Sequence, residues 1–353
     1  MQRRQSDIVR IGSIAIGGSN RIALQSMTNT PTSDKEATLR QIERLEEAGC
    51  DIVRFAVNSM DAVRNIAFFA ERTRLPLVAD IHFDYRLAVE AANAGVSKIR
   101  INPGNIGSDE RIKRIAAACR EKGIPIRVGI NGGSLEESIL EKYGAPTARA
   151  LYESALMAAK KLERFDFYDI VLSVKSSDVY TMIQANRLLA EGSTYPLHLG
   201  VTETGTARQG IVKSSIGIGA LLADGIGDTI RVSLTDDPVT EVIAAQDILH
   251  ALRLKSGINL ISCPTCGRTG IDLIGIASQL QDELDKLCCD RKIDVALMGC
   301  VVNGPGEARE ADVGVAGGKG EAVLFKKGRI VRKINENEII TALLAEIKEM
   351  LKD

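Results

Sequence analysis

Residues 76–103 read PLVADIHFDYRLAVEAANAGVSKIRINP and contain the unit that decides the fold. Pro76–Phe83 is a short apolar run typical of a buried strand, and Tyr85–Asn93 has the apolar spacing of an amphipathic helix. Gly95 follows that helix, as glycine commonly does at a helix end, and Lys98–Pro103 is a second short strand. The stretch therefore predicts a strand, a helix and a further strand in immediate succession.

The same alternation extends along most of the chain. Short β-rich segments lie at Ile22–Thr28, Asp51–Val57, Pro76–Phe83, Lys98–Pro103, Pro125–Asn131, Asp169–Lys175, Pro196–Thr202 and Thr229–Leu234. Helical patterns follow them at Ser33–Ala48, Asp61–Arg72, Tyr85–Asn93, Ser108–Glu121, Thr147–Arg164, Ser177–Ala190, Ile211–Leu222 and Thr240–Leu254. Eight strands that are each followed by a helix, over roughly 250 residues, predict a (β/α)8 TIM barrel. An open doubly wound sheet is the alternative, but no Gly-x-Gly-x-x-Gly follows the first strand.

The segments outside this alternation predict a leading hairpin and a second, smaller α/β domain. Residues 8–23 alternate as a hairpin does, with its turn at Gly17–Asn20. A linker at Lys255–Gly257 gives a barrel domain at 1–255 and a second domain at 256–353. In the second domain we expect a strand from Asn259, a helix over Ile271–Leu287, strands at Asp294–Met298 and Asp312–Ala316, a hairpin over Ala322–Ile334 turning at Lys327-Gly328, and a helix from Glu336.

The composition excludes several classes of protein. The chain has 353 residues, 45% hydrophobic and 26% charged, and its formal net charge of −1 excludes a basic nucleic-acid-binding footprint over the whole chain. No apolar run approaches the roughly 20 residues of a membrane span, and the N-terminus lacks the pattern of a signal peptide. Seven cysteines without a secretion signal predict a reducing, cytoplasmic location, with Cys50 and Cys119 as packed thiols.

Three of the other cysteines suggest a metal centre in the second domain. Cys263 and Cys266 form a Cys-x-x-Cys pair, and Cys300 lies in a Gly- and Pro-rich loop that ends at Glu307. Three thiolates and one exchangeable carboxylate suit an iron–sulfur cluster at which chemistry takes place.

Two other interpretations of the Cys-x-x-Cys pair remain open. Cys288 and Cys289 would complete a four-thiolate zinc site, although adjacent cysteines reach one tetrahedral metal less easily than a spaced pair does. A redox dithiol is the other alternative, but the pair does not stand near a βαβ start.

The carboxyl ends of the predicted barrel strands carry a set of polar side chains. They are Arg54, Asp80, His82, Arg100, Asn102, Arg127, Asn131, Ser173, Lys175, Thr202, Glu203, Arg231 and Ser233. In a TIM barrel these ends form the active-site face. Because clustered cations repel one another and Arg forks match phosphate oxygens, they predict a small substrate with more than one phosphate. Gly129–Ser134 and Gly205 would add backbone N–H donors.

Glu203, Asp80 and His82 are the candidate catalytic residues. Glu203 is the candidate acid/base, because it ends the seventh strand between two threonines, and Asp80 and His82 are expected near it. The alternative for His82 is a structural hydrogen bond. His198, in mid-strand, is expected to be packed, and His250 to lie at the surface.

With these residues in view, the sequence resembles the bacterial 4-hydroxy-3-methylbut-2-enyl diphosphate synthases of the methylerythritol phosphate route, in their compact two-domain form. The matching motifs are Val78–Asp84, Arg100–Ile106, Arg127–Asn131, Gly200–Gly205, Arg231–Thr235, Ser262–Arg268 and Met298–Glu307. They occur in the family's order and cover nearly the whole chain.

The resemblance implies an activity, a cofactor and partners. The family reductively opens and dehydroxylates 2-C-methyl-D-erythritol 2,4-cyclodiphosphate, giving 4-hydroxy-3-methylbut-2-enyl diphosphate. It implies one 4Fe–4S cluster per subunit on Cys263, Cys266, Cys300 and Glu307, and a diphosphate held by Arg54, Arg100, Arg127, Lys175, Arg231 and Ser233. It also implies reduced ferredoxin or flavodoxin as electron donor, and a homodimer in which one subunit's cluster domain serves the other's barrel.

Two rival functions follow from the residues alone. One is a phosphate-binding barrel lyase or transferase with a structural zinc site, which would be colourless where a cluster absorbs visible light. The other is an iron–sulfur electron carrier or redox sensor, which would not need a cation-lined cavity.

Overall fold

The computed structural model describes residues 2–287, 289–300 and 308–352. It divides into two units, Met1–Leu252 and Arg253–Asp353. No helix in the described ranges is long and apolar enough to cross a membrane.

The first unit is built on a parallel sheet that closes on itself. Its strands are β1 (Val9–Ile11), β2 (Ile14–Ile16), β3 (Ala23–Met27), β4 (Ile52–Ala56), β5 (Leu77–Asp80), β6 (Lys98–Ile101), β7 (Ile126–Asn131), β8 (Ile170–Lys175), β9 (His198–Leu199) and β10 (Thr229–Ile230). Strands β3 to β10 pair in the order β8-β7-β6-β5-β4-β3-β10-β9. A parallel bridge between Leu172 in β8 and Leu197, just before β9, joins the two ends. The predicted TIM barrel is confirmed.

Helices surround the barrel between its strands. Those in the described part of the first unit are α1 (Lys35–Glu47), α2 (Met60–Ala70), α3 (Tyr85–Asn93), α4 (Pro103–Ile106), α5 (Asp109–Lys122), α6 (Glu137–Tyr143), α7 (Ala148–Glu163), α8 (Val179–Gly192), α9 (Ala207–Ala223) and α10 (Pro238–Ala251). Short polar side chains accept a backbone N–H at several helix starts, at Asp34, Ser59, Asp84, Thr147, Asp178 and Asp237. Each such cap contributes about 1 kcal/mol. Helices α4 and α6 were not predicted, because they are too short to show a periodic pattern.

The leading hairpin exists, but its predicted turn was wrong. Ile11 pairs with Ile14, so the loop is Gly12-Ser13 and not Gly17–Asn20. Gly12 has φ +55°, which suits the first position of a two-residue hairpin loop. The later glycines follow β2 and direct the chain into the barrel.

The last two barrel strands are shorter than predicted. Strand β9 ends at Leu199, because Thr202 N–H donates to Ser176 and Glu203 takes a φ of +54° that a regular strand does not allow. Beyond Ile230, the Leu234 N–H donates to a carboxylate on α10 and leaves the strand pairing.

The β1–β2 hairpin packs against the amino ends of the barrel strands. Val9, Ile11 and Ile16 form one buried cluster with Ala23, Ile52, Val78 and Val171, residues of β3, β4, β5 and β8. The hairpin therefore acts as an apolar plug at the end of the barrel opposite the strand carboxyl ends.

The second unit is a five-stranded mixed sheet with helices. In chain order its described elements are β11 (Gly257–Ser262), α11 (Leu273–Leu284), β12 (Lys292–Met298), β13 (Val313–Gly317), β14 (Glu321–Lys326), β15 (Arg329–Asn335) and α12 (Ile339–Met350). The strands pair in sequence order, parallel from β11 to β13 and antiparallel from β13 to β15. Leu280, Val295, Leu297, Leu324 and Leu343 are among the residues of its apolar core.

The plug predicts a difference between two isoleucines of the hairpin. Ile11→Ala should lower the free energy of unfolding by about 2–5 kcal/mol, because it leaves a cavity in a fully buried cluster. Ile14→Ala is the matched control and should cost less, because Ile14 is only half-buried. Urea denaturation followed by circular dichroism measures both, and equal losses would contradict the plug.

Candidate functional site

The carboxyl ends of the barrel strands surround a cavity of about 240 Å³. Its lining residues are Met27, Arg54, Asp80, His82, Arg100, Arg127, Gly129, Asn131, Ser173, Lys175, Thr202, Arg231 and Ser233. Most of the residues predicted for the mouth therefore come together around one cavity. Asn102 and Glu203 are outside this lining, and Met27 was not predicted.

Strand register explains why the charged residues meet. Asp80 pairs with Arg100, and Arg100 pairs with Arg127, on neighbouring strands. Residues opposite one another on adjacent strands point to the same face of the sheet, here the barrel interior. Period-two alternation along each strand is thus enough to direct these side chains into one cavity.

Asp80 is the negative centre of this cluster. Its Oδ1 accepts a hydrogen bond from Arg100 Nη1 at 3.0 Å, and its Oδ2 lies 3.7 Å from Arg54 Nη1. Burial alone would raise the pKa of Asp80, but the charges of Arg54 and Arg100 outweigh it and hold that pKa at about 2. Asp80 is therefore ionised at neutral pH, and its contacts orient the guanidinium groups of Arg100 and Arg54.

Arg127 is buried, and part of its guanidinium has no hydrogen-bond partner in the described part of the chain. It is only 1% exposed, and its Nε and Nη1 have no hydrogen-bond partner among the described residues. Burial, reinforced by the charges of Arg54 and Arg100, lowers the pKa of Arg127 well below its ordinary value. Because a guanidinium stays protonated in proteins, the unpaired N–H groups of Arg127 lack hydrogen-bond acceptors on the residues that the structure describes. An anion that accepts these N–H groups would supply them.

Arg54 and Lys175 share this environment. Burial is the main cause that lowers the pKa of Arg54 to about 10 and the pKa of Lys175 well below its usual value. Gly129 makes room for the cluster, since a Cβ there would lie 2.5 Å from Arg100 Nε. The cluster has five cations, Arg54, Arg100, Arg127, Lys175 and Arg231, around the cavity.

Glu241, the second carboxylate of the site, was not predicted from the sequence. It lies on α10, is 4% exposed, and accepts from Arg231 Nη2 and Nε at 3.2 and 3.3 Å. Ser26 Oγ and Leu234 N–H also donate to it, at 3.2 and 2.9 Å. Glu241 therefore holds the guanidinium group of Arg231 in one orientation through these hydrogen bonds. Glu241 lies on an outer helix, where acidic residues are usually solvated, so its position in the sequence does not indicate a role in the site.

The residues proposed for proton transfer lie at the rim. His82 is half exposed, with Nε2 3.8 Å from Asp80 Oδ2. Glu203 is exposed and has a φ of +54°, a conformation that is costly for a side-chain-bearing residue and is often found at functional sites. The neighbouring Thr204 is buried, and its hydroxyl donates to the Ser233 carbonyl oxygen. Asn102 instead caps α4 and donates to Ser134.

Other polar groups lie deeper in the barrel. His198 is fully buried, as predicted, with Nδ1 2.8 Å from Thr229 Oγ1. Lys98 is also fully buried; its Nζ contacts Gln25 Oε1 at 3.3 Å, and burial lowers its pKa well below the usual value. Burial therefore disfavours the charged forms of both Lys98 and His198 beneath the mouth.

In the second unit, two predicted metal ligands follow adjacent strands. Ser262 at the end of β11 pairs with Leu297 in β12, so Cys263 and Cys300 both lie at the carboxyl edge of this parallel pair. The Gly299 N–H donates to Cys263 Sγ at 3.2 Å. Cys300 is buried and Cys263 half-buried.

The third predicted thiol is tied to the same edge. Thr269 N–H donates to the Cys266 carbonyl at 3.0 Å, and the next residue, Gly270, donates to the Gly299 carbonyl at 2.9 Å. Cys266 is exposed, and hydrogen bonds from Arg268 lower the pKa of its thiol, which favours the thiolate that binds metal.

The donor set fits an iron–sulfur cluster in chemistry. Three thiols near one sheet edge would supply three of the four protein ligands that a 4Fe–4S cluster takes. The described residues alone do not bring three Cys, His, Asp or Glu side chains within metal-binding distance. Glu307, the predicted fourth ligand, lies outside the described residues, as does Cys288.

Cys289 argues against the four-thiolate zinc alternative. It precedes β12, whereas Cys300 follows it, and its thiol donates to the Arg291 carbonyl at 3.0 Å. A strand rises about 3.3 Å per residue, so the length of β12 separates the two sites by about 20 Å. The remaining two cysteines, Cys50 and Cys119, are buried as predicted, and burial raises the pKa of each thiol to about 12.

Comparison with solved structures supports the barrel alone. Type I 3-dehydroquinate dehydratase from Clostridium difficile matches with a TM-score of 0.52 and 14% identity, covering 70% of this chain and 98% of that one. A truncated 3-deoxy-D-arabino-heptulosonate 7-phosphate synthase from Thermotoga maritima matches with a TM-score of 0.51 and 12% identity, over 70% of this chain and 91% of that one. Such low identity shows a shared fold and nothing of the chemistry.

Comparison with curated sequences goes further. Proteins named 4-hydroxy-3-methylbut-2-en-1-yl diphosphate synthase (flavodoxin) match along the full length. The Clostridium perfringens protein is 56% identical, over 99% of both chains. The Fusobacterium nucleatum protein is 54% identical, over 99% of this chain and 98% of its own. The Geobacillus kaustophilus protein is 52% identical, over 100% of this chain and 94% of its own.

Family models match both units of the chain. The GcpE TIM-barrel domain matches residues 6–246, and the GcpE protein C-terminal domain matches residues 259–349. Together they account for the barrel with its cation-lined mouth and for the sheet with the three cysteines at its edge. The chain therefore belongs to the GcpE family.

Proposed function

We propose that this chain is a 4-hydroxy-3-methylbut-2-en-1-yl diphosphate synthase, as its relatives are named. Its substrate would be 2-C-methyl-D-erythritol 2,4-cyclodiphosphate. The reaction opens the cyclic diphosphate, takes up two electrons and two protons, and releases the lost hydroxyl as water. The observation that carries the proposal is the barrel mouth, where five cations face one small cavity. Among the described residues, Asp80 is the carboxylate in the cavity lining, and Glu241 lies outside the lining in contact with Arg231.

The barrel residues have distinct roles in this proposal. Arg54, Arg100, Arg127, Lys175 and Arg231 bind the phosphate oxygens, and Asn131, Thr202 and Ser233 add neutral hydrogen bonds around them. Charge-assisted bonds to Arg are the strong ones because the fork matches phosphate geometry. Asp80 and Glu241 orient the arginines. The catalytic candidates are Glu203 and His82, at the rim, with Asp80 beside them in the cavity lining.

The second unit supplies the redox centre in the proposal. Cys263, Cys266 and Cys300, with Glu307, would hold one 4Fe–4S cluster per subunit. When bound, such a cluster supplies electrons singly and offers an iron whose carboxylate ligand is exchangeable. The relatives' names indicate flavodoxin rather than ferredoxin as the donor. Within this scheme, residues 1–255 form the substrate domain and 256–353 the cluster domain.

A homodimer with shared active sites and a cytoplasmic location complete the proposal. The six described cysteines are all free thiols, which suits a reducing compartment. Sharing of the site between subunits rests on the family resemblance and is tested below.

Substitution of Arg127 separates binding from folding. Arg127→Met should leave the melting temperature of the ligand-free protein unchanged or raise it, because it removes a buried cation with unpaired N–H groups. Substrate affinity should fall by roughly 10- to 100-fold, the loss of a charge-assisted contact. Calorimetric titration with the cyclic diphosphate measures this. Arg187→Met, at an exposed ion pair, is the control. A destabilised variant that still binds normally would show that Arg127 serves folding only.

Substitution of single cysteines tests the cluster. Cys300→Ser should abolish the visible absorbance of anaerobically reconstituted protein and lower its iron and sulfide content, while barrel binding of the cyclic diphosphate persists. Cys119→Ser, at a buried thiol in the barrel, should retain both. Equal iron and sulfide content in the two variants would argue against Cys300 as a ligand.

Subunit mixing tests the shared site. Glu203→Gln and Cys300→Ser homodimers are each first shown to be inactive and are then mixed and exchanged. If the barrel of one chain works with the cluster of the other, one of the two sites in each mixed dimer is intact and activity returns. Mixed dimers that form, as shown by two affinity tags, yet remain inactive would mean that each cluster serves its own barrel.

A further inference from the structure

The hairpin of β14 and β15 carries an unusual concentration of positive charge. Residues 326–333 read KKGRIVRK, with five cations among eight residues in a chain of net charge −1. Strand β15 ends the sheet order and pairs only with β14 among the described residues. Arg329–Lys333 are all exposed, and Ile334 is the first residue of β15 to enter the core. We call Lys326–Lys333 the basic edge.

The described residues of the unit neutralise only part of this charge. Lys326 pairs with Glu346 on α12, and Lys333 lies 3.6 Å from Glu321. Lys327, Arg329 and Arg332 make no ion pair with a described residue. Three cations of the basic edge are therefore available to a partner.

A groove continues the positive charge beyond the hairpin. It measures about 550 Å³, and Arg291 and Lys292 line it together with Lys326, Lys327 and Arg329. Asp312 is the acidic residue in that lining. The groove and the basic edge together form one continuous cationic surface.

Two apolar side chains lie within the basic edge. Ile330 is 68% exposed and Val331 is 49% exposed. Charged residues on an edge strand also discourage pairing with other sheets, which is a common reason for lysine there. That role does not account for two exposed β-branched residues among the cations, whereas apolar contacts framed by charge are typical of protein–protein interfaces.

The basic edge belongs to the same sheet as the cysteines. Lys333 pairs with Val323, Val323 with Ala316, and Ala316 with Met298, two residues before Cys300. Three strand spacings of about 4.8 Å place Lys333 about 14 Å from Met298 across the sheet. The basic edge therefore runs from Lys333, at the end of the sheet that carries the thiols, to Lys326 and Arg329, at the opposite end. A protein bound along the whole edge would reach the thiol end at Lys333.

We propose that the basic edge docks the protein electron donor through an acidic face of that donor. The inference rests on the proposed function, since it assumes a redox centre on the cysteines. Opposite charges steer encounter and fix orientation, while Ile330 and Val331 contribute apolar contact once the partners meet. Docking through charge also allows the oxidised donor to leave quickly, as repeated single-electron delivery requires.

Charge reversal tests the proposal. Arg329→Glu combined with Arg332→Glu should weaken binding of oxidised flavodoxin at low salt by roughly tenfold or more. The affinity of this variant for flavodoxin should also depend less on salt concentration than that of the wild type. Flavodoxin-driven kcat/KM should fall in parallel. Turnover driven by dithionite with methyl viologen should be unchanged, because that reductant needs no protein surface. Arg40→Glu with Lys113→Glu, at two exposed positions on the barrel, changes the net charge equally and is the control.

Each outcome decides the matter. Unchanged flavodoxin affinity in the double variant overturns the proposal, as does an equal loss in the barrel control. A change in sedimentation that shows a lost oligomer would make the basic edge a contact between copies of the chain instead. If the charge-reversed variant also loses dithionite turnover, the neutral pair Arg329→Gln and Arg332→Gln is tested for flavodoxin binding. Weaker binding by that pair supports the proposal, and unchanged binding overturns it. Wild-type enzyme that binds flavodoxin but turns over with neither reductant contradicts the proposed function and not the docking surface.

Discussion

Mutual repulsion among the guanidinium groups of Arg54, Arg100 and Arg127 is the constraint on which the barrel mouth depends. Like charges about 4 Å apart repel by about 4 kcal/mol at an effective dielectric near 20. Asp80 pairs with two of these arginines and leaves Arg127 with unpaired N–H groups. Backbone pairing of β4, β5, β6 and β7 keeps the side chains together against this repulsion. The ligand-free state therefore stores free energy that a multiply charged anion would release on binding.

The barrel was predictable because its information is local and repeated. Each strand is a short apolar run and each helix has its own apolar stripe, so one unit such as residues 76–103 already implies the arrangement of the rest. The errors arose where that periodicity ends. The turn at Gly12-Ser13 depends on pairing across β1 and β2, and α4 and α6 are too short to show a pattern. Strand β9 ends early because Thr202 contacts Ser176, which is distant in sequence, and β10 ends early because Leu234 contacts Glu241 on the helix that follows.

The candidate site was predictable to the extent that strand ends determine it. Arg54, Asp80, Arg100 and Arg127 were found because alternation directs them inward at known ends of strands. Glu241 was missed because its role comes from a helix packing behind Arg231, which no local pattern announces. Glu203 was expected at the mouth, but the structure gives it a rim position with a positive φ. In the second unit the thiol positions follow from two adjacent strand ends, while the part played by Glu307 stays a prediction.

The hairpin plug has a consequence for how ligands move. Because Val9, Ile11 and Ile16 close the amino end of the barrel, the interior is open at the mouth and closed at the opposite end. Whatever enters the mouth must leave by retracing its path, and the departing molecule blocks the next one until it has gone. Water displaced by an incoming anion has the same single exit. Exchange at this site therefore runs through the mouth, because the three-residue strands close the floor of the barrel.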